Sequence, residues 1–96
     1  MKHYAVSISI LIQNEYVKNS VVIIEGANNS IEAQKVALYG EAHNQEDMEW
    51  IDRETVKEEI FLYEVDDVVE VPEEDLKVLE KYFNFYTVNE LMPSIH

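Results

Sequence analysis

The chain has 96 residues, of which 47% are hydrophobic, and its formal net charge is −13 at pH 7. This size suits one compact domain, which we expect to span residues 1–96 with a loose tail at about 92–96. The absence of cysteine excludes disulfides and thiolate metal sites. The acidity argues against direct binding to nucleic acids or anionic membranes, because their phosphates would be repelled.

The first predicted element is a strand at about 3–13. Apolar side chains occupy every second position from Tyr4 to Ile12, with Ser7 and Ser9 between them, and this alternation is typical of a strand with one face on a core. The two serines and the short apolar run argue against a signal peptide or a membrane span. We therefore expect a cytoplasmic protein.

A second strand and a helix are predicted next. The β-branched run Val21–Ile24 predicts a strand antiparallel to the first, with the polar segment Asn14–Ser20 as the connection. Asn29 or Ser30 can cap the following helix, and Glu32 stands at the capping-box spacing from Asn29. Small residues along one face of this helix would let it lie close to the sheet. The face consists of Ala33, Val36, Ala37 and Gly40, and we expect the helix to fray between Gly40 and Asn44.

The second half of the chain predicts one further long strand and a second helix. Thr55–Val65 fits a strand packed on both faces, and Val68–Val71 fits a strand end or a short separate strand. Pro72 suits the first position of a helix whose acidic first turn is Glu73–Asp75. We expect Leu76, Leu79 and Phe83 to form the buried stripe of this helix, and Asn84–Leu91 to add an edge strand.

These elements predict an α+β fold in which helices cover one face of a small, mostly antiparallel sheet. The order is strand, strand, helix, strand, a further short strand, and helix. A sheet of this size leaves exposed edges, and the segment Tyr82–Val88 adds apolar surface. We therefore expect either a homodimer or a monomer.

Three blocks of sequence resemble small phage and plasmid proteins of the DpnD–PcfM group. The blocks are Tyr4–Ile10, Val21–Ala27 and Ser30–Ala37, and the similarity extends over roughly residues 3–70. The resemblance implies a ββαβ core and an origin in a mobile genetic element. In that setting small acidic proteins often act against host defences.

Few kinds of catalytic or metal chemistry fit this sequence. It has only two glycines, so a glycine-rich phosphate loop is excluded, and it contains no nucleophile elbow or zincin helix. His3, His43 and His96 do not stand at metal-ligand spacing. The acids of the segment 66–75 lack the EF-hand pattern, although a weak divalent-cation site there remains an alternative. We expect a protein without enzymatic activity, cofactor or metal.

The net charge is confined to residues 41–80, which hold 16 acidic and three basic residues, whereas the flanking segments are neutral. A folded protein that displays carboxylates along one surface can occupy a site built for DNA. The sequence therefore predicts an inhibitor that binds the basic surface of a host defence or nucleic-acid enzyme by DNA mimicry. The alternatives are a merely solvating face, and an adaptor that binds through the hairpin edge or the apolar C-terminal helix. The predicted partner-binding residues are Glu46, Asp47, Glu49, Trp50, Asp52, Glu54, Glu58, Glu59, Glu64, Asp66, Asp67 and Glu70.

Overall fold

The computed structural model describes residues 2–42 and 45–88, which form a six-stranded sheet with two helices. The strands are β1 (Lys2–Ile12), β2 (Glu15–Ala27), β3 (Glu49–Asp52), β4 (Thr55–Glu58), β5 (Phe61–Val71) and β6 (Asn84–Thr87), and the helices are α1 (Ser30–Glu41) and α2 (Leu76–Leu79). Short 3₁₀ turns at Gln45–Asp47 and Glu73–Asp75 precede β3 and α2.

The sheet has the order β3-β4-β5-β1-β2-β6, and all neighbouring strands are antiparallel except β2 and β6. The predicted α+β class with a mostly antiparallel sheet is therefore confirmed. β6 is an edge strand, as predicted. The predicted tail at 92–96, the end of the predicted strand at Leu91 and the predicted fraying as far as Asn44 lie outside the described residues.

A two-residue turn joins β1 to β2. Gln13 and Asn14 have φ angles of 51° and 69°, and positive φ at both central positions is typical of the tight turns that fit the twist of a hairpin. β2 therefore begins at Glu15, and the prediction that Asn14–Ser20 forms the connection was wrong. These polar residues form a strand because their backbone pairs with β1, while their side chains remain largely exposed.

Helix α1 begins as the sequence predicts. The Asn29 side chain accepts a hydrogen bond from the Glu32 amide at 2.9 Å, and Glu32 in turn accepts one from the Asn28 amide at 3.1 Å. The first bond satisfies an amide that the helix leaves without an intrahelical partner, and the second ties the residue before the N-cap to the first turn. The predicted small-residue face is buried against the sheet through Ala33, Val36 and Ala37.

The main core lies between α1 and one face of the sheet. β1 occupies an inner position, so its alternate apolar side chains pack beneath the helix. The buried residues of this core are Tyr4, Val6, Ile8, Ile10, Val22, Ile24, Ala27, Ala33, Val36, Ala37, Leu38, Val56, Tyr63 and Val88. The alternation in the first strand therefore identified the core face correctly.

The short helix α2 packs on the opposite face of the sheet. Leu76 lies in a smaller cluster with Ile23 and Val71, and Leu79 packs against it. Ile23 alternates along β2 with the core residues of the α1 side, so it points to the other face. The two helices thus lie on opposite faces of the sheet, whereas the sequence predicted that both cover the same face. Phe83 follows the end of α2 and is exposed.

The segment predicted as one strand is a hairpin. β4 ends at Glu58, and β5 begins at Phe61 after a turn in which Glu59 has a φ of 55°. No glycine or proline marks this turn, so the sequence carries no usual signal for it. β5 then continues to Val71, with a register shift beside Asp66. The predicted short strand is therefore the second half of β5.

Replacing Gly40 by alanine is expected to destabilise the fold, although alanine usually stabilises a helix by about 1 kcal/mol relative to glycine. A Cβ at Gly40 would lie 2.8 Å from Cε2 of Tyr86, whose hydroxyl donates to the Gly40 carbonyl at 3.3 Å. Overpacking of this kind costs about 1–3 kcal/mol. Urea denaturation should show a lower free energy of unfolding for Gly40→Ala. In a Tyr86→Ala background the same substitution should stabilise, and a loss there would contradict the steric explanation.

Candidate functional site

The register of the sheet places the predicted binding residues on both of its faces. Residues directly opposite each other on antiparallel strands share a face. Trp50 pairs with Val56, which is part of the core beneath α1, so Trp50 lies on the α1 face. Glu49 precedes Trp50 in β3 and lies on the opposite face. Glu64, which pairs with Ser9, lies there too.

Other predicted residues lie in the connections at the ends of the strands. Glu46 and Asp47 belong to the 3₁₀ turn before β3, and Glu59 lies in the turn between β4 and β5. Asp52 and Glu54 lie at the turn between β3 and β4, where the Asp52 carboxylate accepts a hydrogen bond from the Glu54 amide at 2.8 Å. The predicted set therefore does not form a single flat array of carboxylates.

Glu58 is a correction to the predicted surface, because its side chain is only 3% exposed. It pairs in register with Phe61 on the α1 face, and the Tyr63 hydroxyl donates a hydrogen bond to its carboxylate at 3.2 Å. A buried carboxylate needs such bonds to offset the loss of water. Glu58 therefore belongs to the interior and is inaccessible to a partner.

The environment of Tyr63 predicts a loss of stability at alkaline pH. Burial raises the pKa of its phenol above the ordinary value of 10.0, and the negative charge of Glu58 and the hydrogen bond to it raise the pKa further. Below pH 10 the phenol is protonated in the folded and unfolded states alike, so its stabilising contribution is fully present. Above that pH the unfolded chain loses the proton first, so ionisation favours unfolding.

Urea denaturation at about pH 8 and about pH 11 measures this effect. We expect the free energy of unfolding to fall at the higher pH, and to fall less in Tyr63→Phe than in the parent protein. Tyr82→Phe is the matched control, because Tyr82 is largely exposed. An alkaline decrease that is equally large in the parent and in Tyr63→Phe would contradict the account.

Asp66 is held across the face of the sheet that α1 leaves open. Its carboxylate accepts hydrogen bonds from the Ser9 hydroxyl and, at 3.0 Å, from the Asn19 side-chain amide. The Ser7 hydroxyl donates to the Asn19 carbonyl oxygen at 3.1 Å. This network joins three neighbouring strands at the register shift. These hydrogen bonds give the Asp66 carboxylate a structural role in addition to its predicted role in binding.

Trp50 lies apart from the densest acidic surface. It lines a cleft of about 510 Å³ between α1 and β3, together with Ile31, Lys35, Asp52 and Arg53. Two of these five side chains are basic and one is acidic. The cleft therefore places Trp50 beside two basic side chains rather than within the acidic surface to which it was predicted to belong.

The exposed acids in the second half of β5 and in the next turn are close in sequence but lie on both faces of the strand: Asp67, opposite Ser7, is on the face that α1 leaves open, and Glu70, opposite Tyr4, is on the α1 face. Residues 66–75 contain no basic residue, and all of their acidic side chains are exposed. We call this set the acidic edge strip: Asp66, Asp67, Glu70, Glu73, Glu74 and Asp75. The exposed side chain of Lys2 reaches Glu70, with 3.4 Å between Nζ and Oε1.

The final three acids of the strip are Glu73, Glu74 and Asp75, which the sequence predicts to form the first turn of a helix. In the structure they form a three-residue 3₁₀ turn before a four-residue helix, and no side chain caps that turn. So short a helix has little dipole for carboxylates to complement. The sequence pattern did not show that these three side chains are exposed and directly follow β5, because both facts depend on the position of the turn.

No protein-family model, curated protein or solved structure matches this chain. Among residues 2–42 and 45–88, no three histidine or acidic side chains form a group that could hold a metal ion. The same part of the chain contains no helix that is long and apolar enough to cross a membrane. The surface of the protein itself is therefore the evidence for its function.

Proposed function

We propose that this chain is a non-enzymatic inhibitor that occupies a nucleic-acid-binding surface on another protein, as a DNA mimic does. The observation that carries the proposal is the acidic edge strip, in which all acidic side chains are exposed and residues 66–75 include no basic residue, with Lys2 paired to Glu70 from β1. A phage origin and a host defence target enter the proposal through the resemblance to the DpnD–PcfM group. A cytoplasmic site of action follows from that target.

The strip presents several negative charges along a short length of chain without a basic residue between them in the sequence. Residues in a strand rise by about 3.3 Å, so the carboxylates at Asp67 and Glu70 are separated by about 10 Å along β5. Duplex DNA presents one negative charge per about 1.7 Å of its axis, and proteins meet it with rows of Lys and Arg. Such a row can also receive the strip, and the remaining excess of negative charge would accelerate encounter.

The salt dependence of binding tests this proposal. Partners captured from a bacterial lysate at low salt would be purified, and their affinity for the protein would be measured over a range of ionic strength. We expect the affinity to fall steeply as salt is added, because screening weakens contacts between exposed charges. Affinity that is unchanged at high salt would contradict the proposal.

A second candidate function is that of an adaptor that binds through apolar surface near the C-terminal end of the described chain. Large apolar side chains are exposed on and after α2, among them Val78, Tyr82, Phe83 and Phe85. An exposed apolar group of this kind marks protein contact sites. The adaptor predicts binding that depends weakly on salt and is lost in Tyr82→Ala and Phe85→Ala, so the same titration separates the two candidates.

A further inference from the structure

Within residues 2–42 and 45–88, the outer side of β5 is a free sheet edge over about half of its length. The ladder with β4 ends where Thr55 pairs with Glu64, and one further bond joins the Val65 amide to the Glu54 carbonyl at 2.8 Å. From there to Val71, no strand within the described residues pairs with this side of β5. A free edge presents backbone groups on which another chain can form a strand.

The register shows which backbone groups point outward. The two-residue turn makes Ile12 and Glu15 the closing hydrogen-bonded pair, so even-numbered residues of β1 direct their backbone groups to β2 and odd-numbered residues direct theirs to β5. Ala5 therefore bonds to its partner Val69. The flanking residues Val68 and Glu70 must then direct their amides and carbonyls away from β1.

A side-chain contact supports this assignment independently. The Val68 amide donates a hydrogen bond at 2.9 Å to Oδ1 of Asp67. This is expected of an amide that has no carbonyl acceptor on a neighbouring strand among the described residues. The carboxylate thus covers one of the outward donors. An incoming strand that accepted the Val68 amide would release Asp67 to bind a cation.

The charge beside this edge determines which kind of chain can pair with it as a strand. Asp67, Glu70 and Glu73 are exposed beside it, so pairing with the same edge of a second copy would bring like charges together, which is unfavourable. A chain with cations three residues apart, and therefore on both faces, would instead meet opposite charge at Asp67 and Glu70.

We propose that an extended Lys- or Arg-rich segment of a partner protein pairs with Val68–Glu70 as an additional strand, with its cations at Asp67 and Glu70. This inference rests on the proposed function and gives it a binding mode. Main-chain bonds to Val68 and Glu70 would provide affinity, while the charged side chains would provide selectivity.

The first test uses two variants that remove the same charge. Glu70→Gln keeps the outward amide, whereas Glu70→Pro removes it and leaves the inward ladder to β1 intact, because proline is tolerated where a strand amide faces away from the sheet. The probe is a Thr-rich peptide of roughly ten residues with two Lys residues three positions apart, so that its cations lie on both faces, as Asp67 and Glu70 do. We expect Glu70→Pro to bind this peptide about tenfold more weakly than Glu70→Gln. Equal affinities would overturn the inference.

The second test leaves the protein unchanged, so it does not depend on the folding of a proline variant. The same peptide with every backbone amide methylated keeps its charge but cannot donate to a strand. We expect it to bind about tenfold more weakly than the unmodified peptide. If both peptides bind equally well with steep salt dependence, strand addition is refuted while charge recognition stands. If neither peptide binds, both the inference and the proposed basic-surface recognition are contradicted.

Discussion

An amide variant of the acidic edge strip is expected to lose most of its affinity for a basic partner while remaining folded. The substitutions are Asp67→Asn, Glu70→Gln, Glu73→Gln and Glu74→Gln. Ion pairs between exposed side chains contribute roughly 0.2–1 kcal/mol each, so the total loss should be about 1–4 kcal/mol, or between about fivefold and a thousandfold in affinity. Isothermal titration calorimetry at low salt with the purified partner measures this loss.

The matched control removes the same number of negative charges elsewhere on the protein. The substitutions are Glu15→Gln, Glu25→Gln, Glu49→Gln and Glu59→Gln, none of which lies in the acidic edge strip. Both variants have the same net charge, and both should be at least as stable as the parent because self-repulsion is reduced. If the control loses as much affinity as the strip variant, overall charge rather than the strip governs binding.

The largest single effect on stability is expected at Ile8. This side chain is fully buried in the main core, on the inner strand β1, where it pairs with Ser20 on one side and Val65 on the other. Replacing a buried isoleucine by alanine removes packed atoms and leaves a cavity, at a cost of about 2–5 kcal/mol. Urea denaturation of Ile8→Ala should therefore show a large decrease in the free energy of unfolding.

Ile31→Ala provides the same chemical change on the exposed side of α1. Ile31 is 51% exposed, and surface substitutions usually change stability by less than about 0.5 kcal/mol. The comparison tests whether β1 buries the face that its alternation indicates. Comparable losses in both variants would show that the core has been assigned to the wrong side of the sheet.

The elements that the sequence predicted correctly are those with strong local signals. Alternation along β1 identified its buried face, because neighbouring side chains of a strand point to opposite sides. The spacing of Asn29 and Glu32 identified the start of α1, because this pair satisfies amides at the helix end. Both signals lie within a few residues of the structure that they specify.

The elements that were missed depend on contacts between distant parts of the chain. The polar residues Glu15–Ser20 form a strand because β1 supplies their hydrogen bonds, which composition cannot reveal. Glu59 makes a turn without glycine or proline, since the hairpin holds it at a positive φ. The predicted long strand ended at Val65, but Asp66 and Asp67 lie at a register shift within a strand that continues to Val71.

The concentration of charge in residues 41–80 is the sequence signal on which the predicted binding surface rests. That concentration could not show which acids share a surface, because the answer depends on register. Glu58 faces the core with Tyr63, whereas Glu73 and Glu74, which a helix start seemed to explain, are exposed beyond the end of β5. A two-residue periodicity would have assigned the faces of β5 only if the register shift at Asp66 had been known.

Competition with duplex DNA for one purified nucleic-acid-binding partner tests the central claim most directly. The partner would first be loaded with labelled DNA and then titrated with the protein while the release of DNA is followed by fluorescence anisotropy. The account predicts that the parent protein displaces the DNA fully, and that the amide variant of the acidic edge strip does so only at much higher concentration. A ternary complex in which the partner keeps its DNA while bound to the protein would contradict the account.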